Sequence, residues 1–289
     1  MNLTVIIPTL NNFKGLKYLL NYFKDKNYQI IVVDNKSTII GLDPRRSLPS
    51  TPIGGGDDTE NLVYLPQEKN LGFAGGVNLG ARDVETKWML VLNDDIEFED
   101  KLLNLKYQLL NKFQILNIKK EKQNVIESLI QFAEENKLDA VSPILRNPDG
   151  KVENYGYKIL PFGKVETLNT KYEILDTKID GLTAACLLIR TEMFKKLGGF
   201  DESFFAYLED IDFFLRMKNY KFGIAYDIEV LHNHMTTAKT MGNFKAKQDM
   251  VNWWRLFFKH PDKFKFNLEF VAERLRNVSG YLKTTFKSI

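Results

Sequence analysis

The sequence predicts an α/β fold with a mostly parallel central sheet, flanked by helices, and a helical extension at its C-terminal end. Short apolar runs alternate with segments of helical spacing through the first hundred residues. Polar residues directly follow two of these runs, at Asp34 and at Asn93–Asp95. Ligands of such sheets bind at the carboxyl ends of the strands. The two acidic positions therefore predict a binding edge.

The first half of the chain contains four predicted strands and two predicted helices. One helix covers Phe13–Lys24, where leucines recur at the spacing of an amphipathic face, and the other covers Gly72–Val84. Strands that are apolar throughout indicate a parallel sheet buried on both faces. Short apolar runs predict the strands Leu3–Ile7, Gln29–Val33, Leu62–Leu65 and Trp88–Leu92.

Two stretches interrupt this alternation. Gly41–Glu60 is rich in Pro, Gly, Ser and Asp, which predicts a surface loop. Leu102–Lys137 has helical spacing with many Lys, Gln and Glu, which predicts one long helix or a helical hairpin. From Asn243 the chain reads as helical, basic and aromatic. Between these segments we expect strands at Ala140–Leu145, Ala184–Ile189, Phe222–Tyr226 and Glu229–Leu231, and a helix near Phe205–Asn219.

Composition narrows the possible functions. The formal net charge is only +3, so no partner of the nucleic-acid class is expected. The single cysteine, Cys186, excludes an internal disulfide and a zinc cluster built from cysteines. We see neither a secretory signal nor an apolar run of the roughly 18 residues that a membrane span needs. The expected location is therefore cytoplasmic.

The acidic residues at the strand ends have chemistry that suits a nucleotide and a metal ion. Asp34 can accept the imide hydrogen of uracil or thymine, although Asp-Asn-Lys-Ser is equally good turn chemistry. Asn93–Asp95 offers oxygen ligands for Mg²⁺ or Mn²⁺, with Asp95 as the preferred ligand and Asp94 turned towards a sugar or ribose. The alternative for this second motif is an acidic turn, because Glu97 and Glu99 continue the charge.

Three further segments complete the candidate site. Asn70–Asn78 contains glycines that let backbone N–H groups approach a ribose or phosphate. Glu209 and Asp210 lie in an aromatic-rich segment, where burial would raise a carboxyl pKa and make it usable as a base; the alternative is a solvated helix face. His232 follows a short strand and either completes the metal shell, binds a diphosphate, or has neither role.

Taken in their order along the chain, these motifs resemble those of the family 2 inverting glycosyltransferases, and within them the rhamnosyltransferase-like branch. The resemblance covers about residues 3–235. It implies the glycosyltransferase-A fold, which is Rossmann-like. The motifs that carry it are Val5–Asn12, Ile31–Asn35, Asn70–Asn78, Leu92–Asp95, Asp180–Gly181, Gly198–Asp210 and His232.

The resemblance implies a role for each site residue. Asp95 takes the metal at the Asp-x-Asp position, where Asn93 replaces the first Asp and weakens coordination. Asp210 is the base for a single displacement that inverts the sugar, with Glu209 beside it. The nucleotide-sugar contacts are implied to be Thr9, Asp34, Asn70, Gly75, Gly76, Asn78, Asn93 and Asp94, and the metal contacts Asp95 and His232.

The resemblance also implies a division of the chain. The catalytic domain is expected to cover residues 1–242, with a nucleotide-binding half of about 1–100, a helical insertion of about 102–137 and an acceptor half of about 138–242. The remaining segment, 243–289, is a helical extension in which Trp and Phe interleave with Lys and Arg. It predicts either peripheral contact with the inner face of a membrane, or a helix that packs on the domain or forms a homodimer contact.

The expected reaction moves rhamnose or another hexose from a UDP- or dTDP-sugar to a glycan or lipid-linked saccharide, in cell-envelope polysaccharide biosynthesis. Two alternatives remain open. A sugar nucleotidyltransferase would need a triphosphate loop rich in Gly and Arg near the N-terminus, where Pro8–Lys14 offers one basic residue. A saccharide-binding protein without activity would share the same fold.

Overall fold

The computed structural model describes residues 2–38, 61–100, 124–154, 156–168, 178–233 and 243–286. The predicted loop at Gly41–Glu60 and most of the predicted 102–137 insertion lie outside these residues. The described helices are α1 (Phe13–Phe23), α2 (Gly72–Ala81), α3 (Val125–Glu135), α4 (Thr191–Lys196), α5 (Glu209–Arg216), α6 (Phe244–Lys259) and α7 (Leu268–Phe286).

Eleven strands are described, and nine of them form one sheet. Along this sheet the order is β3-β2-β1-β4-β10-β6-β11-β5, with β7 beside β6, while β8 and β9 form a separate hairpin. The strands are β1 (Leu3–Thr9), β2 (Gln29–Asp34), β3 (Leu62–Pro66), β4 (Trp88–Leu92), β5 (Ile96–Glu97), β6 (Ala140–Arg146), β7 (Val152–Asn154), β8 (Tyr157–Leu160), β9 (Lys164–Thr167), β10 (Cys186–Arg190) and β11 (Phe222–His232).

The predicted α/β fold with helices flanking a central sheet is confirmed. Strands β1 to β4 are mutually parallel, as the alternating pattern predicts. Beyond β4 the sheet is mixed, because β10 runs antiparallel to both of its neighbours, β4 and β6. This reversal brings the amino end of β10 to the same edge as the carboxyl end of β4.

The helix predicted near Phe205–Asn219 is shorter than expected. The chain forms a 3₁₀ turn at Glu202–Phe204 and enters α5 only at Glu209. Between them, Tyr207 and Leu208 have left-handed φ angles of 66° and 68°, which a continuous helix cannot contain. The two short strands predicted at Phe222–Tyr226 and Glu229–Leu231 are one strand, β11, with a register shift between them.

The sheet is buried on both faces, and neighbouring residues of β1 alternate between two cores. Ile6 packs with the core that contains α2, α4 and α5, whereas Val5 and Ile7 pack with the core that contains α1 and α3. Trp253 and Leu256 of α6 join the first of these cores. The start of the C-terminal extension therefore packs on the domain. None of the described helices combines the length and apolar character that crossing a membrane requires.

Helix α2 approaches the sheet closely at Gly80, where a Cβ atom would lie 2.6 Å from Cγ2 of Ile6. We expect Gly80→Ala to lower the free energy of unfolding by about 1–3 kcal/mol, because overpacking forces the helix off β1. The matched control is Gly280→Ala in α7, where nothing lies within 4 Å. There alanine should stabilise by up to about 1 kcal/mol through helix propensity. Urea unfolding that gives equal effects for both variants would contradict this packing.

Candidate active site

A cavity of about 680 Å³ opens at the edge of the sheet where β1, β4 and β11 end and β10 begins. Its volume falls within the range of about 300–1,000 Å³ typical of ligand pockets. Both halves of the chain contribute to its wall. Most of the predicted site residues line it: Thr9, Asn70, Asn93, Asp94, Asp95, Glu209, Asp210 and His232.

Asp94 is held by the segment that joins β1 to α1. Thr9 Oγ1 donates to Asp94 Oδ2 at 2.6 Å, and Asn12 Nδ2 donates to Oδ1 at 2.9 Å. Burial raises the pKa of Asp94 to about 7, although these two hydrogen bonds oppose the shift. Both carboxylate oxygens therefore already accept a bond from the protein. Asp94 lines the cavity, but its carboxylate mainly connects the segment after β4 to the end of β1 and the start of α1.

Asp95 lies beside His232, which ends β11. His232 Nε2 is 3.2 Å from Asp95 Oδ1, and His232 Nδ1 is 2.9 Å from Glu153 Oε2. Burial alone would lower the pKa of His232, but the two carboxylates outweigh it and raise the pKa to about 9. The His232 Nε2–H therefore faces Asp95 Oδ1 and pairs with it. Both residues of this pair line the cavity.

The described residues contain no group of three or more acidic, histidine or cysteine side chains arranged to hold a metal ion. Asp95 and His232 could supply two ligands at most. Magnesium sites commonly use one or two carboxylates together with waters and substrate phosphates. The donor set at the end of β4 is compatible with that second arrangement, in which the ligand completes the coordination.

Asp210 lies in the first turn of α5 and also lines the cavity. Its Oδ2 accepts from the Ala184 N–H at 3.4 Å, and its Oδ1 accepts from the Ile211 N–H at 2.8 Å. Burial raises the pKa of Asp210 to about 6, and these backbone N–H groups oppose the shift. Burial is the cause that the sequence predicts for a raised pKa at this position.

Glu209 is more deeply enclosed than Asp210, with 6% of its surface exposed. Burial raises the pKa of Glu209 well above its usual value, and the negative charge of Asp210 adds to the shift. Its Oε2 atom is buried and has no hydrogen-bond partner among the described residues. The alternative of a solvated helix face is therefore wrong for Glu209, and Asp210 is partly enclosed as well.

Asp34 lies outside the cavity lining, one strand away from Thr9 in the sheet register. Its Oδ1 accepts from the Ser37 N–H at 2.8 Å and its Oδ2 from the Tyr64 hydroxyl at 2.5 Å. The turn that the sequence allowed is present. Contact between Asp34 and a nucleoside stays a prediction, and its neighbour Asn35 is the residue that reaches the lining.

Gly75, Gly76 and Asn78 also lie outside the lining, and their contact with a nucleotide stays a prediction. A Cβ atom on Gly76 would lie 3.2 Å from Cβ of Pro8, so this glycine permits close packing of α2 on β1. Asn78 Nδ2 donates to the Phe200 carbonyl at 2.7 Å, and its Oδ1 accepts from the Phe200 N–H at 2.9 Å. The inner face of α2 thus packs on β1 and on Phe200. Gly76 and Asn78 support the cavity wall without contacting the cavity.

Some residues of the site are not among the sequence predictions. Gly72 has a φ of +73°, and a Cβ atom there would lie 2.0 Å from the carbonyl oxygen of Phe205. Asn35 Nδ2 donates to the Gly72 carbonyl at 3.1 Å. Polar residues directly after β1 and β2 were a usable signal for Asn12 and Asn35. Tyr157, at the start of β8, also lines the cavity. The sequence carries no such signal for it, because β8 and β9 are too short to show periodicity.

Comparison with known proteins identifies relatives of one kind. Residues 4–114 match the model for Glycosyl transferase family 2. The N-acetylglucosaminyl-diphospho-decaprenol L-rhamnosyltransferase of Mycobacterium tuberculosis is 23% identical over 278 residues, covering 82% of this chain and 80% of the relative. The low-salt glycan biosynthesis hexosyltransferase Agl10 of Haloferax volcanii is 24% identical over 243 residues, covering 80% of this chain and 67% of the relative.

Solved structures agree on the fold. S. aureus TarS aligns with a TM-score of 0.58 at 17% identity, over 99% of this chain, which spans 44% of the TarS chain. The mannosyltransferase PcManGT from Pyrobaculum calidifontis, in complex with GDP-Man and Mn²⁺, aligns with a TM-score of 0.58 at 16% identity, over 98% of this chain and 73% of PcManGT. The predicted glycosyltransferase-A fold is confirmed.

Proposed function

From the family 2 glycosyltransferase domain that the chain carries at residues 4–114, we propose that it transfers a hexosyl group from a UDP- or dTDP-sugar to a glycan or lipid-linked saccharide. One observation carries the proposal: Asp95 and Asp210 face the same cavity from opposite halves of the chain. Rhamnose is the first candidate sugar, because the mycobacterial relative is named as a rhamnosyltransferase that acts on a lipid-linked saccharide.

Asp210 acts as the base in this proposal. With a pKa of about 6, its carboxylate is mostly ionised at pH 7 yet more basic than an ordinary aspartate. It takes the proton of an acceptor hydroxyl while that oxygen forms a bond to the anomeric carbon. The bond from the anomeric carbon to the diphosphate oxygen breaks on the opposite side. This single displacement inverts the configuration of the transferred sugar.

Glu209 provides a different group beside the base. Burial and the charge of Asp210 raise the pKa of this carboxyl, which favours its protonated form. Glu209 lines the cavity, and its Oε2 atom has no hydrogen-bond partner among the described residues. Buried polar atoms in proteins are nearly always hydrogen-bonded. A hydroxyl of the bound sugar can therefore hydrogen-bond Glu209 and orient the reacting groups next to Asp210.

Asp95 and His232 would hold Mg²⁺ or Mn²⁺. The fit rests on the proximity of two ligand-type groups in the cavity wall, since Asp95 Oδ1 lies 3.2 Å from His232 Nε2. His232 must lose its ring proton to become a ligand. When bound, the cation neutralises charge on the departing diphosphate. Thr9 and Asn70 line the same side of the cavity and would bind the nucleotide part of the donor.

Neither alternative function gains a supporting observation. The matched family and both named relatives are glycosyltransferases, whereas a nucleotidyltransferase would need a basic triphosphate loop after β1. A binding protein without activity has no need for a buried carboxyl pair with shifted pKa values. Turnover separates these functions directly. In a screen of UDP- and dTDP-sugars with Mn²⁺, we expect release of the nucleoside diphosphate, whereas release of pyrophosphate would indicate nucleotidyl transfer.

The second helix of the C-terminal extension, α7, presents an exposed apolar surface formed by Leu268, Leu275 and Leu282, and the exposed Phe266 precedes this helix. Leu268 is 89% exposed and Leu275 is 64% exposed. The exposed basic residues Lys265, Arg276 and Lys283 lie beside this surface. Apolar side chains rimmed by Lys and Arg suit an anionic lipid surface. We therefore propose that α7 lies on the inner face of a membrane, where a lipid-linked acceptor would be located.

Asp210→Asn should abolish the base while keeping the shape of the side chain. We expect kcat to fall by about 100-fold or more, with donor affinity retained. In the wild type, kcat should rise with pH through about 6 and then level off, because the active form of Asp210 is deprotonated. Asp201→Asn, outside the cavity lining, is the matched control and should keep wild-type turnover. Turnover by Asp210→Asn at the wild-type rate would remove Asp210 as the base.

Asp95→Ala tests the proposed cation site. Calorimetric titration of the donor in the presence of Mn²⁺ should show weaker binding for this variant, because the cation would lose its carboxylate ligand. Glu99→Ala is the matched control, since Glu99 is exposed in the same acidic segment. Wild-type protein that binds the donor equally with and without Mn²⁺ would show that the cation does not assist binding.

Leu268→Glu combined with Leu275→Glu tests the membrane contact without disturbing the core, because both residues are exposed. Wild-type protein should sediment with vesicles of phosphatidylcholine and phosphatidylglycerol, and the double variant should not. Lys247→Glu, on the exposed part of α6, serves as the control for the added negative charge. A wild-type dimer in solution that ignores vesicles and dissociates in the double variant would instead assign this surface to a second copy of the chain.

A further inference from the structure

The link that leads into α5 has an unusual backbone. Tyr207 and Leu208 are consecutive and both have left-handed φ angles, 66° and 68°. Residues other than glycine rarely adopt this region, and two in succession require support from their surroundings. The next two residues of the chain are Glu209 and Asp210. The direction in which these carboxyl groups point therefore depends on the conformation of this link.

The support comes from α6, in the C-terminal extension. Asn252 is fully buried, with 0% of its surface exposed. Its Nδ2 donates to the Ala206 carbonyl at 2.9 Å and to the Tyr207 carbonyl at 2.8 Å. Arg255 Nη1 donates to Asn252 Oδ1 at 2.6 Å, which fixes the orientation of the amide. One side chain thus holds two successive carbonyl groups of the left-handed link.

A second polar contact ties α6 to α5 one turn later. Asp212 has 0% of its surface exposed, and its Oδ1 is 2.8 Å from both Lys259 Nζ and His260 Nε2. Helix α5 is thereby held at Asp212, while Asn252 holds the backbone just before the helix begins. Helix α5 is therefore fixed from Asp212 onwards. A change in the backbone of the link before Glu209 would change the direction of the Asp210 side chain in the first turn.

We propose that Asn252 is a positioning residue, which acts through the Ala206–Leu208 link to aim the carboxylate of Asp210 into the cavity. The inference rests on the proposed function, in which Asp210 is the base. It assigns a role in the transfer reaction to a residue of the C-terminal extension, beyond the segment that matches the family model.

Loss of the Asn252 amide leaves the Ala206 and Tyr207 carbonyl groups without this donor. The link then gains from relaxing towards an ordinary backbone conformation, and Asp210 moves with it. Proton transfer requires the base within hydrogen-bond reach of the acceptor hydroxyl. Thr9 and Asp95, proposed to bind the nucleotide and the diphosphate of the donor, lie on β1 and directly after β4, so they keep their places and hold most of the donor. The defect should therefore fall on kcat rather than on donor affinity.

Three variants test this role. Asn252→Ala removes the amide, and Asn252→Asp keeps its shape but presents oxygen atoms to the two carbonyls. Arg255→Ala, at an exposed position, removes only the bond that orients the amide, so it should leave folding intact. Leu256→Ala is the matched control, because Leu256 is fully buried one turn along α6 and contacts the core instead of the link.

The quantities to compare for each variant are kcat, KM, the donor affinity by calorimetry and Tm. Both Asn252 variants should lower kcat by about 10- to 100-fold, the range expected from a small displacement of a reacting group, with donor affinity unchanged. Asn252→Asp should lose as much as Asn252→Ala, and Arg255→Ala should lower kcat less, with Tm retained. Leu256→Ala should lower Tm and keep kcat when assayed below its unfolding transition.

A wild-type kcat in either Asn252 variant would overturn the inference. The same follows if the Asn252 variants lose activity only in proportion to their loss of Tm, as Leu256→Ala would. If the Asn252 variants do not fold, Arg255→Ala decides, and an unchanged kcat in it counts against the role. Absence of turnover in the wild type with every donor would overturn the proposed function itself, which distinguishes the two failures.

Discussion

The pairing of β10 with β4 is the contact on which the rest of the site depends. In this antiparallel register Cys186 lies opposite Leu92, and the Asn93 N–H donates to the Ala185 carbonyl at 2.9 Å. The segment before β10 therefore runs beside the segment after β4. Asp95 follows β4 directly, while Asp210 bonds the backbone of Ala184. A parallel β10 would send these two acidic groups to opposite edges of the sheet.

Burial of the carboxyl groups gives the cavity its chemistry. Removing Asp210 and Glu209 from water raises both pKa values, but backbone N–H groups oppose the shift at Asp210, and the charge of Asp210 adds to the shift at Glu209. The pKa is therefore raised further for Glu209 than for Asp210. Asp95 lines the same cavity and pairs with His232 at 3.2 Å. In the proposed reaction, Asp210 would take a proton and Asp95 would bind a cation.

Much of this arrangement was predictable from sequence because its signals are local. Apolar runs marked β1, β2 and β4, and acidic residues at strand ends marked Asp95. The direction of β10 was not predictable, since an apolar strand of five residues has the same pattern in either orientation. The left-handed link at Tyr207 and Leu208 was also hidden. Its support comes from Asn252, which is far away in sequence, and the aromatic residues around it have the pattern of a helix.

The glycines of α2 also have a packing role that the sequence does not show. The sequence predicts that they let backbone N–H groups approach a ribose or phosphate; in the structure Gly76 lets α2 pack closely on Pro8, and Asn78 bonds the Phe200 backbone. The central claim is that one cavity binds the donor diphosphate against Asp95 with Asp210 across from it. A crystal structure with UDP or dTDP and Mn²⁺ tests this directly. The account predicts the diphosphate in the cavity, with Mn²⁺ bound to Asp95 and the diphosphate oxygens. Nucleotide bound elsewhere, or Mn²⁺ without contact to Asp95, would contradict it.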